Sequence, residues 1–263
     1  MIFLWRCIDI LPLTLSRLRS ELPNSTIVVY HNDNPFTNFK DRLKCRHFLS
    51  GLRHAHVTAV YRPNNVEEAL AHGAQRVELL LPSFIRDLHR PLRGMQKTDV
   101  IYVGHYEPDD RMDALLALHE AGVDVQVRGP GWQSVQKRHH WISQQKIERL
   151  WGDAYVSALS NARIALAFLS KRHGDVYTRR CFEIPACGSL LMAPRTPQLQ
   201  ELFREGVEAV FWSSTNELVD KVILYLSHES DRAQIAAAGH RRVNDEGHDE
   251  YGRAAQVINW LDK

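Results

Sequence analysis

The stretch RRCFEIPACGSLLM, residues 179–192, decides how the second half of the chain folds. It places a carboxylate, Glu183, directly behind two arginines at the start of an apolar run. Gly188 interrupts the run, and SLLM (189–192) continues it as a short apolar segment. We therefore predict a short helix over 180–187 that leads into a buried strand, which is the repeating unit of a parallel α/β sheet.

The same alternation of strand-like and helix-like segments extends along the whole chain. We predict strands at residues 2–6, 26–31, 56–61, 76–81, 99–104, 123–128, 163–168, 189–192 and 208–212. We predict helices at residues 12–21, 39–51, 64–72, 111–121, 180–187, 197–205, 215–227, 230–240 and 249–262. Strands that alternate with helices indicate right-handed crossovers and parallel sheets. The predicted fold class is α/β, with two Rossmann-like, doubly wound domains.

The boundary between the two predicted domains falls in PSFIRDLHRPLRGMQK, residues 82–97, which has two prolines and no helical periodicity. We predict a partial N-terminal domain at 1–90 and a C-terminal domain at 91–263, closed by the last helix. A doubly wound domain usually has about five or six strands, whereas the first region has only four predicted ones. Either this domain is small or its leading segment is truncated, and we favour truncation. Ligands of such paired domains bind outside the carboxyl ends of the strands, in the cleft between them.

Composition excludes several classes of protein. The 263 residues are 44% hydrophobic and 24% charged with a net charge of +2, which is typical of a globular protein and does not indicate nucleic-acid binding. No apolar run approaches the roughly 18–20 residues that span a bilayer. The opening MIFLWRCIDILPL is interrupted by Arg6 and Asp9, which is unlike a signal peptide. The four cysteines form no CxxC pair, so we expect reduced thiols in a cytoplasmic protein.

The first candidate binding segment is DVIYVGHYEPDDRMDALLALHE, residues 99–120. A buried strand ends at Gly104, and a helix begins around Arg111 after a polar loop. This arrangement is one form of anion site, because backbone N–H groups and the helix dipole point at the same place. A tight turn in which Asp109 or Asp110 caps the helix explains the segment equally well.

The second candidate segment is the helix that carries Arg180 and Glu183. The carboxylate suits the hydroxyl groups of a ribose, and the guanidinium suits phosphate oxygens. The alternative is an Arg–Glu pair at i, i+3 on a helix surface. The residues alone leave both interpretations open.

The third candidate is Asp33 in YHNDNPF, residues 30–36, where a strand ends in a loop closed by a proline. A carboxylate in this place is a candidate base for an acceptor hydroxyl. An Asx turn at Asp33 or Asn34 is the simpler explanation of the loop taken alone.

Other residue groups suggest sites that we do not predict. Cys45, His47, His54 and His56 have no zinc-finger spacing, so we expect no metal. The basic residues between 40 and 53 fit a solvated helix face. Trp132 and the segment 139–141 lie in a predicted polar loop, where they either line a nucleobase pocket or pack at a rim, and we favour the rim.

The motifs together resemble the glycosyltransferases of the two-Rossmann-domain (GT-B) type, and within them the CgeB-like spore-maturation group. The matching segments are RRCFEIPACGSLLM, ELFREGVEAVFW, TNELVDKVILYL, IVVYHNDNPF, NNVEEALAHGAQRVELLLPSFIRDLHRP, DVIYVGHY and HDEYGRAAQVINWL. The resemblance therefore extends over almost the whole chain.

This resemblance implies a nucleoside-diphosphate sugar as donor, held mainly by the C-terminal domain, and no separate cofactor. Glu183 stands where the family's glutamate takes the ribose hydroxyls, and Arg180 stands in the turn that faces the diphosphate. Asp175, eight positions before Glu183, stands where many relatives have an acidic residue facing the donor sugar.

We therefore predict a metal-independent glycosyltransferase that acts on an unspecified glycan, protein or small-molecule acceptor. Gly104, Arg111 and Arg180 would meet the phosphates, Asp175 would orient the sugar, and Asp33 would act as base. The alternative is a non-catalytic or truncated module that binds a nucleotide sugar. A Rossmann oxidoreductase is disfavoured because the chain lacks GxGxxG.

Overall fold

The structure is a computed structural model that describes residues 1–92, 94 and 98–261. It confirms the α/β class, with two fully parallel sheets. The strands are β1 (Ile2–Trp5), β2 (Ile27–His31), β3 (Val57–Val60), β4 (Val77–Leu79), β5 (Thr98–Val103), β6 (Val125–Arg128), β7 (Ala162–Leu166), β8 (Leu190–Pro194) and β9 (Val210–Trp212). The helices are α1 (Pro12–Glu21), α2 (Phe39–Lys44), α3 (Arg46–Gly51), α4 (Asn65–Ala71), α5 (Arg111–Glu120), α6 (Gln133–Gln136), α7 (His140–Ser143), α8 (Gly152–Ser160), α9 (Arg180–Ala186), α10 (Pro197–Leu202), α11 (Thr215–Ser227), α12 (Glu229–Asp245) and α13 (Glu250–Asn259).

The order of the strands determines where a ligand can enter. The first sheet has the order β1-β2-β3-β4, and the second has the order β6-β5-β7-β8-β9. In the second sheet the chain reverses its direction of winding at β5, which lies between β6 and β7. A crevice forms outside the carboxyl end of the strand at such a switch point, because the loops on its two sides leave in opposite directions.

Contacts divide the chain into two compact units. The four-stranded unit contains Met1–Pro82 and the end of the chain from Arg253, and the five-stranded unit contains Ser83–Gly252. This grouping differs from the sequence-based division at 90/91. The end of the chain joins the first unit because Val257 and Trp260 are buried with apolar residues of β2 and β3.

The segment from residue 83 joins the second unit through its own contacts. Phe84 is buried and pairs with Asp249, whose carboxylate also forms an ion pair with Arg86. The predicted linker at 82–97 forms neither helix nor regular strand up to residue 92. Four of its residues, Arg93 and 95–97, lie outside the described residues.

The helix predictions fail at two places. The helix predicted over 39–51 is divided at Cys45, which ends α2 and begins α3 with backbone angles of φ −96° and ψ 15°. No proline or glycine marks this break in the sequence. Helices α6 and α7 form in the region that we predicted to be a polar loop. Helix α8 forms where we predicted no element, and it contributes to the candidate site described below.

All four cysteines are free and buried. Burial raises the pKa of Cys7 to about 11 and the pKa values of Cys181 and Cys187 to about 12. These thiols are therefore protonated at neutral pH, and a thiol in this form is a poor nucleophile. Within the described residues, no helix combines the length and the apolar character needed to cross a membrane.

A charged cluster fixes the start of α11 against β8 and β9. The Ser214 hydroxyl accepts a hydrogen bond from the Glu217 N–H and so caps the helix. The Glu217 carboxylate lies 2.8 Å from both Arg195 Nη2 and Lys221 Nζ. Hydrogen bonds from Arg195, and then from Lys221, lower the pKa of Glu217 to about 2.

We expect Glu217→Gln to destabilise the protein in a pH-dependent way. The folded-state pKa of about 2 lies below the ordinary value of 4.5, so ionised Glu217 stabilises the fold above pH 4.5 and loses this effect as the pH falls toward 2. The free energy of unfolding in urea should fall by about 1 kcal/mol at pH 7, with a smaller difference at pH 3. Glu201→Gln, at an exposed position of α10, is the control, and an equal loss at both pH values would contradict the interpretation.

Candidate functional site

A pocket of about 420 Å³ lies in the five-stranded unit, at the carboxyl ends of β5 and β6. This is the place that the order of the strands predicts for a ligand. The pocket is lined by Ile85, Leu88, His89, Val103, Gly104, His105, Gly129, Pro130, Arg149, Leu150, Trp151, Gly152, Tyr155, Arg179, Arg180 and Glu183. Three predicted site residues are therefore brought together, namely Gly104, Arg180 and Glu183.

Glu183 is the only carboxylate among these lining residues, and its side chain is 10% exposed. Helix α9 carries it, and the five other residues of α9 after Arg180 are buried as well. The Tyr155 hydroxyl donates a hydrogen bond of 2.6 Å to Glu183 Oε2. The pKa of Tyr155 is raised well above its ordinary value, mainly by burial and in second place by the charge of Glu183. Tyr155 therefore remains a hydrogen-bond donor at neutral pH.

The second oxygen of the carboxylate faces His89. His89 Nδ1 accepts a hydrogen bond from the Ile85 N–H, so the proton of the neutral ring is on Nε2. Nε2 lies 3.8 Å from Glu183 Oε1, too far for a hydrogen bond. Burial lowers the pKa of His89 despite the opposing charge of Glu183, so the ring is uncharged at neutral pH. Oε1 therefore keeps acceptor capacity for a hydroxyl group in the pocket.

Arginines supply positive charge beside this carboxylate. Arg180 Nε donates a hydrogen bond to the Val103 carbonyl, which ties the start of α9 to the end of β5. Arg179 and Arg149 are exposed and, in the described part of the chain, have neither a hydrogen bond nor an ion pair through their side chains. The pKa of His105 is lowered mainly by partial burial and in second place by the charges of Arg180 and Arg149. The pocket thus carries three arginines and one carboxylate.

The floor of the pocket requires two glycines. A Cβ on Gly104 would lie 2.3 Å from the Tyr102 hydroxyl oxygen. Gly129 has a φ of +122°, and a Cβ there would lie 2.3 Å from the Gly104 carbonyl oxygen. Trp132 Nε1 donates to the same carbonyl at 3.0 Å. The ends of β5 and β6 therefore approach more closely than side chains would allow.

Arg111 is not among the residues that line the pocket, and its predicted contact with phosphates stays a prediction. It is 2% exposed, and its Nε and Nη2 each donate a 2.7 Å hydrogen bond to the Asp109 carboxylate. Its Nη1 donates to the His105 carbonyl and to the Tyr102 hydroxyl. Asp109 Oδ1 also accepts a hydrogen bond of 3.1 Å from the Arg111 N–H, at the start of α5. The N-cap residue of α5 is Asp110, and its side chain makes no capping hydrogen bond.

Asp175 is not among the residues that line the pocket. It lies in the loop between β7 and α9, where its N–H donates to the Ser170 carbonyl at 3.0 Å. Its predicted contact with a donor sugar stays a prediction.

Asp33 belongs to the four-stranded unit and follows β2. Its carboxylate lies 3.3 Å from Arg6 Nη2, in a half-exposed ion pair. The neighbouring Asn34 accepts a hydrogen bond from the Phe36 N–H at 3.0 Å. This is the Asx turn that we gave as the alternative, formed by Asn34. The role of Asp33 as base stays a prediction.

Most of the residues that line the pocket were not predicted from the sequence. Tyr155 and Trp151 belong to α8 and the residue before it, where no element was predicted. Val156 and Leu159, spaced i and i+3 after Asp153, were the available helical signal. Trp132 and Trp141, for which we favoured packing over a place in a nucleobase pocket, do not line this pocket. Trp132 is fully buried, and Trp141 stacks on His119 with 4.7 Å between ring centroids. Trp151, which is 75% exposed, lines the pocket instead.

No group of three or more His, Cys, Asp or Glu side chains in the described residues is arranged to hold a metal ion. In the four-stranded unit, Cys45 Sγ lies 3.6 Å from His31 Nε2. That pair is buried.

Three solved structures of known proteins share the architecture. Anabaena HepE in complex with UDP has a TM-score of 0.70 at 14% identity, over 99% of this chain and 78% of that chain. Sucrose-phosphate synthase from Thermosynechococcus elongatus has a TM-score of 0.69 at 12% identity, over 96% and 71%. The pneumococcal O-GlcNAc transferase GtfA, in complex with UDP and GlcNAc, has a TM-score of 0.64 at 12% identity, over 93% and 54%.

At these identities the similarity establishes the fold, which is GT-B. A search of curated protein sequences finds no match. A family model described as "Glycosyl transferase-like" matches residues 111–259, more than half of the chain. The chain therefore belongs to the glycosyl transferase-like family and is a transferase with the GT-B fold.

Proposed function

We propose that this protein transfers a sugar from a nucleoside-diphosphate sugar to an acceptor hydroxyl, with Glu183 holding the ribose of the donor. The observation that carries the proposal is the Glu183 carboxylate, which faces the pocket. Among the described residues, one of its oxygens accepts a hydrogen bond from Tyr155 and the other accepts none. A buried carboxylate with a free acceptor atom favours a ligand that donates hydrogen bonds. Vicinal hydroxyl groups of a ribose are such donors.

The remaining lining residues match the other parts of a nucleotide. Trp151 offers an exposed aromatic face on which a base can stack. Arg179 and Arg180 begin α9 one turn before Glu183 and suit a diphosphate. A single pocket therefore holds partners for base, ribose and phosphates.

The chemical step that we propose depends on charge. Breaking the bond between sugar and diphosphate leaves negative charge on the departing nucleotide. Guanidinium groups already in place stabilise this charge without reorganisation. Arg179 and Arg180 would therefore stabilise the charge of the departing diphosphate, as a divalent cation does in other transferases. Turnover should then persist in the presence of EDTA.

The finer parts of the proposal rest on the sequence. Membership of the CgeB-like group, Asp33 as base and Asp175 as a sugar contact are proposed from the quoted motifs. The first donor to test is UDP-glucose, because Anabaena HepE has been crystallised with UDP-glucose, and also with UDP and glucose.

We expect Glu183→Gln to weaken UDP binding by roughly 10- to 100-fold, because a hydrogen bond to a charged acceptor contributes about 1.5–3 kcal/mol. Titration calorimetry with UDP, ADP and GDP measures the loss. The 2′-deoxy form of the best ligand should bind the wild type more weakly, and Glu183→Gln should reduce this difference.

Glu201→Gln, an equivalent substitution on α10, is the matched control and should bind like the wild type. An unchanged affinity of Glu183→Gln for every nucleotide tested would refute the role of Glu183. Release of UDP from UDP-glucose, with and without candidate acceptors, separates a transferase from a module that only binds the donor.

We expect Trp151→Ala to weaken UDP binding by roughly 5- to 100-fold, because stacking of a base on an aromatic side chain contributes about 1–3 kcal/mol. Trp151→Phe should retain most of the affinity. Binding of inorganic pyrophosphate, which has no base, should not change in either variant. A parallel loss for UDP and pyrophosphate would show that Trp151 does not stack on the base.

We expect Arg111→Lys to reduce stability and to leave nucleotide affinity nearly unchanged. A lysine cannot serve Asp109, Tyr102 and the His105 carbonyl together, so urea unfolding should show a loss of roughly 2–4 kcal/mol. The UDP dissociation constant, measured well below the unfolding temperature, is the second readout. Weakened binding without lost stability would instead support the phosphate contact that we predicted from the sequence.

A further inference from the structure

A second pocket, of about 380 Å³, lies in the five-stranded unit away from Glu183. Arg163 lies near the start of β7, and Gly188 precedes β8. The second pocket therefore opens at the amino ends of the strands, whereas the first lies at their carboxyl ends. Its lining residues are Pro91, Arg163, Gly188, Glu229, Arg232, Ala233, Ala236, Ala237, His240 and Arg241. None of these residues lines the Glu183 pocket.

The innermost charge of this pocket is Arg232, which is 3% exposed. Its Nη1 donates a 3.1 Å hydrogen bond to the Tyr225 carbonyl. Its Nη2 lies 3.4 Å from the carboxylate of Glu229, whose side chain is 79% exposed. A solvated carboxylate compensates a buried guanidinium weakly. Burial therefore lowers the pKa of Arg232, and the nearby Arg163 lowers it further.

The other lining residues add positive charge. Arg163 forms an ion pair of 2.9 Å with Asp99, a residue that does not line the pocket. Arg241 is exposed, and its side chain has no hydrogen bond or ion pair among the residues that the structure describes. Burial lowers the pKa of His240, so its ring is neutral at neutral pH. The pocket therefore has three arginines, whereas only two carboxylates, those of Glu229 and the neighbouring Asp99, pair with them. Both carboxylates are at least partly exposed.

We propose that this second pocket binds a small phosphate-bearing ligand, either free phosphate or a phosphate monoester. Arg232 is recessed, so the anion must enter the pocket rather than lie across its mouth. Guanidinium groups present planar, fixed donors that fit phosphate oxygens. Ala233, Ala236 and Ala237, whose side chains are small, line the same pocket as Arg232.

Titration calorimetry with inorganic phosphate and with glycerol 3-phosphate, at constant ionic strength adjusted with sodium chloride, tests this proposal. Arg241→Gln removes the arginine that has no described partner, so the fold should be unaffected. Arg163→Gln tests a second wall of the same pocket. Each substitution should weaken phosphate binding about tenfold, the loss expected for one charge-assisted hydrogen bond.

Two control variants remove the same charge elsewhere. Lys40→Gln alters an exposed position of α2, and Arg138→Gln alters an exposed position next to α6; both should keep the phosphate affinity of the wild type. Tight binding of glycerol 3-phosphate would assign the pocket to monoesters, and binding of inorganic phosphate alone would assign it to the free ion.

Either of two results would overturn the proposal. The first is the absence of saturable phosphate binding to the wild type. The second is an equal loss of affinity in all four variants, which would indicate general electrostatic attraction rather than a pocket. Repeating the titrations in an Arg179→Gln background weakens the proposed diphosphate site at Glu183, so phosphate binding that persists there reports the second pocket.

Discussion

The hydrogen bond from Tyr155 to Glu183 allows a carboxylate to be buried in the apolar helix α9. An ionised carboxylate without partners would destabilise such a position by several kcal/mol. Tyr155 satisfies one oxygen and, because burial raises its pKa, keeps its proton at neutral pH. His89 is neutral and stands beyond hydrogen-bond distance of the other oxygen. The carboxylate is thus fixed in orientation while half of its acceptor capacity faces the pocket.

Two arginines of the five-stranded unit differ in whether their hydrogen-bond partners leave them available to a ligand. Arg111 and Arg179 both lie at the start of a helix that follows a strand of the same sheet. Arg111 is enclosed by Asp109, Tyr102 and His105, so its charge is used within the loop after β5. Arg179 lines the pocket, and its side chain has no such partners in the part of the chain that the structure describes. Only the second can offer its full charge to a ligand.

The positions of the Glu183 pocket and of the Arg232 pocket follow from the parallel arrangement of the strands in the five-stranded unit. All strands begin at one edge of the sheet and end at the other, so each edge gathers loops and helix ends of one kind. The carboxyl edge carries the close approach of Gly104 and Gly129, which leaves room for a ligand above the backbone. The amino edge carries the alanine-rich face of α12 above the recessed Arg232.

The sequence by itself determined the α/β class and the positions of the nine described strands, since these depend on local periodicity. It also pointed to Glu183 as a candidate site residue, because a single carboxylate stands in an apolar helix. It could not divide the helix at Cys45 or assign residues 253–261 to the four-stranded unit, because long-range packing of Val257 and Trp260 decides that. Only the tertiary structure placed Tyr155, Trp151 and His89 in the same pocket as Glu183. It also surrounded Arg111 with partners outside the residues that line this pocket. These outcomes depend on which loops converge at one edge of a sheet, and residues far apart in sequence decide that convergence together.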